Sequence, residues 1–117
     1  MTSTIKCMYK DITNEFFSAL GNMSIVVDES SVYQCGHIII VNLLLSASAF
    51  NPAQKGTVAE AYRPKKSINT YAGFVATQWN INVYTGYCYF GSNGNFELTD
   101  TASHNSKFAR VKATYCI

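Results

Sequence analysis

The chain has 117 residues, 48% of them hydrophobic and only 14% charged, with nine basic and seven acidic side chains and a net charge of +2. A chain of this length can bury its own core, so residues 1–117 are read as one domain, with 1–30 either a connecting arm or the first strands. The charge balance is too even for a polyanion-binding surface, which excludes nucleic acid as the expected partner. No apolar run is long enough to cross a bilayer as a helix, so no membrane insertion is expected.

The N-terminal stretch "MTSTIKCMYKDITNEFF" lacks the apolar core of a secretory signal, and synthesis in a cytoplasm is the expectation. "TIKCMYKDI" alternates weakly between apolar and polar positions. "NEFFSALGN" is either one helical turn ending at Gly21 or a loop. "MSIVVDESS" reads as a strand followed by a polar turn. "SVYQCGHIIIVNLLLSA" reads as one long strand, or as two with a bend at Gly36, since a glycine within a strand often marks a bulge.

"SAFNPAQKG" carries Asn-Pro and Gly and reads as a loop. "TVAEAYRPKKS" is short and extended, because the residue before a proline avoids the helical region. "INTYAGFVATQ", "NINVYTGYCYFG" and "NFELTD" alternate and are rich in the aromatic and β-branched residues that suit strands. Asn93-Gly94 within "GSNG" is the clearest hairpin signal. "FARVKATYCI" closes the chain as a strand, with Val111, Ala113 and Tyr115 on one face and Arg110, Lys112 and Thr114 on the other. Many short strands with turn signals between them predict an all-β fold, an antiparallel β-sandwich of jelly-roll type.

The cysteines, Cys7, Cys35, Cys88 and Cys116, form no C-x-x-C pair and have no histidine at zinc spacing, so no metal and no cofactor is expected. Each sits in strand-like sequence and is read as a buried free thiol. The sharper reading is a Cys7–Cys116 clip between terminal strands.

Catalysis needs a nucleophile, a base and an orienting group. His37 lies next to Gly36 and His104 in a polar turn, and no G-x-S-x-G is present. Glu97 and Asp100 are the best carboxylate pair, but at a strand end they read as a solvated turn edge. The expectation is therefore a non-enzymatic protein. The aromatics fit ligand binding better. A ring covers the apolar face of a sugar, and side-chain amides bond its hydroxyls. "TQWNINVYTGYCYFGSNGN" supplies Trp79, Asn80, Tyr84, Tyr87 and Asn93 as candidate carbohydrate-binding residues. Each has a competing reading as core or subunit interface.

The order of features resembles the C-terminal head domains of phage and prophage tail proteins: tail fibres, baseplate upper proteins and receptor-binding proteins. A glycine precedes a hydrophobic strand with Asn at its centre, here Gly36, Ile38, Ile40, Val41, Asn42 and Leu43. An Arg-Pro element follows, here Ala61-Tyr62-Arg63-Pro64-Lys65. A hairpin comes next, here Tyr89, Phe90, Asn93, Gly94, Phe96 and Leu98. The leucine-proline that precedes the Arg-Pro element in such heads is replaced by Val58-Ala59-Glu60-Ala61. The resemblance covers residues 31–117.

The resemblance implies a homotrimeric head displayed on a virion tail. Its partners would be a host cell-surface glycan, copies of itself and other virion tail proteins. It implies a structural crossover for Arg63 and Pro64, in keeping with the donor that Pro64 lacks and the fork that Arg63 offers to carbonyls or to Glu60. Lys65 and Lys66 are expected in solvent. The competing reading is a structural tail or baseplate module that binds only other tail proteins. No binding residue carries over by position from the resemblance.

Overall fold

The computed structural model describes residues 8–77, 84–101 and 105–117. Among these residues every regular element is a strand or a single 3-10 turn. The strands are β1 (Lys10–Asp11), β2 (Phe17–Ala19), β3 (Ser24–Ile25), β4 (Ser31–Cys35), β5 (Ile38–Ser46), β6 (Gln54–Val58), β7 (Ile68–Val75), β8 (Tyr84–Phe90), β9 (Asn95–Thr99) and β10 (Phe108–Cys116). All pair antiparallel in one ten-stranded sheet of order β1-β4-β5-β10-β7-β8-β9-β6-β2, with β3 added against the end of β5.

The sheet curls because β10 joins its two flanks along only part of its length. β10 pairs β5 over its full run, from Phe108↔Ser46 to Cys116↔Ile38. Its pairing with β7 spans only Phe108↔Val75 to Val111↔Ala72. Beyond that point the flanks diverge. They face each other across one core, built from alternate positions of every long strand. β5 contributes Ile39, Val41, Leu43 and Leu45, β7 Ala72 and Phe74, and β8 Cys88 and Phe90. β9 adds Phe96 and Leu98, and β10 adds Ala109, Val111 and Tyr115. Phe90 packs on Phe96 and Tyr115 at ring distances of 5.1 and 5.6 Å, linking the flanks through their aromatic centres.

The first strands close the curl. β1 and β2 form the two ends of the strand order, yet only residues 12–16 separate them in sequence. Within that short connection Ile12 and Phe16 are fully buried. On one side the Ile12 amide donates to the Val32 carbonyl at 2.8 Å. On the other the Ala59 amide donates to the Phe16 carbonyl at 2.8 Å. Asp11 steadies the turn, its Oδ1 accepting from the Thr13 amide (2.9 Å) and hydroxyl (2.6 Å), which holds its carboxyl below the usual range. Before Ser31, β1, β2 and β3 all pair within the sheet.

Turn chemistry sets the register. Gly36 and His37 form a two-residue reversal between β4 and β5, with Cys35 opposite Ile38. Gly36 has φ +61, which an L residue rarely adopts. This glycine therefore reverses the chain, where the sequence allowed a bend or bulge. Asn93-Gly94 turns β8 into β9 as expected, with Gly94 at φ +96, and the Gly91 amide donates to the Asn95 carbonyl at 2.7 Å. The segment read as a loop at "NPAQKG" is partly strand. β6 pairs β9 from Gln54↔Leu98 to Thr57↔Asn95, and tertiary pairing overrides the weak local propensity.

The Arg-Pro element is a crossover from β6 to β7. Arg63 is extended, its Nε donates to the Val58 carbonyl at 3.1 Å, and the buried Tyr115 hydroxyl donates to the Tyr62 carbonyl. The Lys65 amide bonds the Cys116 carbonyl at 2.9 Å, pinning the crossover to the last strand.

One cysteine matches the expected buried free thiol and two depart from it. Cys88 is buried and free, and burial pushes its thiol pKa up, as a small hydrophobe in a core should behave. Cys116 is free but exposed, because it falls on the outward parity of β10, which removes the Cys7–Cys116 clip. Cys35 is disulfide-bonded.

Candidate functional site

Alternation forces every second residue of β7, β8 and β9 out of the core. The register then aligns these outward residues in transverse rows. Asn69 stands opposite Tyr89, Tyr89 opposite Glu97, and Glu97 opposite Lys55. The neighbouring row runs Tyr71, Tyr87, Thr99. Strands lie about 4.8 Å apart, so the longer row of four strands spans about 14 Å.

Between the rows lies an open furrow of about 380 Å³ lined by Asn69, Tyr87, Tyr89, Glu97 and Thr99. Tyr71 and Tyr87 are 70% and 52% exposed, with rings 5.8 Å apart and tilted by 34°. Together the two rings make a small exposed aromatic patch. Glu97 reaches toward β6, where Lys55 Nζ lies 3.4 Å from its Oε1. A smaller recess beside it is lined by Lys55, Gly56, Asn95, Phe96 and Glu97. The surface thus offers flat rings, an amide, hydroxyls and one carboxylate.

Of the residues singled out from sequence, Tyr87 is at the centre of this furrow. Tyr84 begins β8 opposite Phe74, is 45% exposed and does not line the furrow. Asn93 sits in the β8–β9 turn, where its Oδ1 accepts from the Asn95 amide at 3.1 Å. Trp79 and Asn80 lie outside the described residues. Asn69, Tyr71, Tyr89, Glu97 and Thr99 were missed as site residues. The available signal was the alternation of "INTYAGF" and "NFELTD", which puts them on one parity. Their convergence depends on the strand register, which no local pattern supplies.

A second exposed apolar group occupies the opposite flank. Tyr9 (63% exposed) packs edge-on against Tyr33 at 6.2 Å, close to β1 and β4, and Met8 and Ile38 are also open to solvent. Here the chemistry is aliphatic as well as aromatic. Where β7 and β10 part, a shallow cleft of about 510 Å³ is lined by Ile40, Val41, Asn42, Thr70, Lys112, Ala113 and Thr114.

The carboxylate pair Glu97 and Asp100 does not converge. Glu97 faces outward to Lys55, whereas Asp100 is 2% exposed and accepts from the Ser106 hydroxyl at 3.1 Å. Among the described residues no cluster of histidine, cysteine or carboxylate side chains has the geometry to hold a metal ion. Among the described residues no helix is long and apolar enough to cross a membrane.

No family model matches the chain, and no curated protein matches it closely in sequence. Among solved structures, the crystal structure of the head domain of phage bIL170, studied with the receptor-binding domains of lactococcal phages, shares its architecture. The TM-score is 0.60 over 96% of this chain and 99% of that one, at 11% identity. The fold is that of the bIL170 head domain. At that identity the likeness rests on backbone course alone, with surface side chains free to differ. In the head fold of this chain the outward tyrosines of β7 and β8 and the mixed apolar group near β1 and β4 are separate surfaces.

Proposed function

We propose that this chain is a non-enzymatic head module of a phage tail, a tail fibre or baseplate component, that attaches the virion to its host by binding a cell-surface saccharide. The observation that carries the reading is the tyrosine furrow on a receptor-binding head fold. Exposed rings beside amide, hydroxyl and carboxylate groups match the alternating apolar and hydroxyl faces of a sugar. Tyr87 is the central platform. Trp79, Asn80, Tyr84 and Asn93 remain binding candidates from the sequence, and the protein acts from the virion tail.

The mixed apolar group of Met8, Tyr9, Tyr33 and Ile38 supports self-association, in a homotrimer, or docking to other tail proteins. That same group favours a second reading, in which the module is structural and binds only tail proteins. A glycan array separates the two. The first reading expects saccharide binding that Tyr87→Ala abolishes while the melting temperature stays put. Absence of binding to any glycan, by a chain that still associates with tail proteins, establishes the second. Light scattering tests the trimer, and a monomer at micromolar concentration would refute it.

A further inference from the structure

We infer that the furrow is selective for an uncharged saccharide, with Glu97 as the acceptor that reads its hydroxyls and turns acidic sugars away. The inference rests on the saccharide reading above and deepens it.

The furrow's polar lining is asymmetric. On the β7 side stands Asn69, which both donates and accepts. On the β9 side stand Thr99 and Glu97. An ionised carboxylate only accepts, so Glu97 demands a partner that brings hydrogens. Sugar hydroxyls do so, and a hydrogen bond to a charged acceptor is stronger and shorter than one between neutral groups. The charged group of a uronate or a phosphodiester brings only acceptors and a like charge, whatever the remaining hydroxyls offer.

No cationic side chain lines the furrow among the described residues. The nearby ammonium is Lys55, one strand further out on β6 and 3.4 Å from Glu97 Oε1. Lys55 is itself highly exposed and is committed to Glu97. It holds the carboxylate at the furrow's rim without presenting positive charge to the floor. Lys55 is a positioning residue, and its loss should alter the placement of Glu97 more than its charge. The platform itself, Tyr87 and Tyr89, presents aromatic rings. The furrow's lining crosses three strands, β7, β8 and β9, a span of about 10 Å, which accommodates more than one sugar ring.

The rest of the surface offers a contrast. Lys112 lines the cleft between β5, β7 and β10, and Lys65 and Lys66 flank Ile68 and Cys116 at the crossover. An acidic ligand would have positive charge there and none in the tyrosine furrow. The two surfaces therefore predict different responses to salt and to ligand charge.

The test is an array carrying neutral, uronic-acid and phosphorylated oligosaccharides, followed by calorimetry with the neutral ligand that binds best. Neutral oligosaccharides should bind, and acidic ones of similar size should bind roughly tenfold more weakly or not at all. Raising the ionic strength should leave the neutral affinity unchanged, because no counterion is displaced. Glu97→Gln should weaken neutral binding by roughly tenfold, the difference expected of a charge-assisted hydrogen bond. It should also narrow the gap between neutral and acidic ligands. Glu97→Asp should restore part of the selectivity.

Preference for acidic ligands, or selectivity unaltered in Glu97→Gln, would overturn the inference while leaving saccharide attachment intact. Silence across the whole array would overturn both. Glu97 is partly exposed and is not one of the core residues, so the variants should fold.

Discussion

Replacing Phe16 by alanine takes a fully buried ring from the connection between β1 and β2, the segment that closes the curled sheet. The ring lies 4.8 Å from Phe17 and 6.4 Å from both Tyr62 and Phe90. Losing its transfer energy, its aromatic pairs and the volume it fills should cost about 3–5 kcal/mol. A domain of this size has about 5–15 kcal/mol in total. With a urea m-value of about 1.5 kcal/mol per molar, the midpoint should fall by about 2–3 M. Equilibrium urea denaturation followed by far-UV circular dichroism measures it. A parallel Tyr87→Ala variant should stay within about 0.5 kcal/mol of the parent, because its side chain stands in solvent. If Phe16→Ala moved the midpoint by less than about 0.5 M, residues 12–16 would be an appendage and not a closure, and the reasoning would fail.

Other expectations follow from single sites. Gly86→Ala would drive a Cβ into the Phe74 ring and the Thr99 carbonyl, so the variant should lose about 2 kcal/mol or more, or misfold, as thermal melts would show. The carboxyl of Asp11 titrates below its ordinary range because Thr13 bonds its charged form. The stabilisation it provides is thus full above the unfolded-state carboxylate pKa and lost as pH falls through the lowered folded value. Asp11→Asn should remove that acid limb, and a Thr13 amide resonance insensitive to acid in the parent would contradict the assignment. In native protein, Cys116 should react with a thiol reagent, while Cys88, whose thiolate is disfavoured by burial, should react only after unfolding. Peptide mass mapping decides it.

Much of the fold was legible where chemistry is local. Asn93-Gly94 announced its hairpin because few residues tolerate the required backbone at Gly94. The crossover at Arg63 and Pro64 was implied by the resemblance, and the ladder donor that Pro64 lacks agrees with it. The β10 alternation from Phe108 to Tyr115 gave its inward face directly. Less was legible where partners decide. Gln54–Val58 has a poor strand sequence and becomes one by pairing with β9. The short strands before Ser31 carry too few residues to show a period. The furrow was half visible: Tyr87 stood out among aromatics, but Tyr71, Asn69 and Glu97 join it only through the register of three strands, fixed by turns and core packing far from the site. Cys116 was read as core because its neighbours are apolar, yet parity places it outside.

The alternation along β8 divides one stretch of chain between two independent duties. Gly86, Cys88 and Phe90 answer to the interior, while Thr85, Tyr87 and Tyr89 answer to whatever the surface meets. β7 and β9 divide in the same way. A change of target then requires rewriting only the outward half of three strands, and the inward half need not be renegotiated. Mutational drift on the exposed parity carries little risk of unfolding, so such a scaffold can explore new recognition chemistry one codon at a time while its architecture stays fixed.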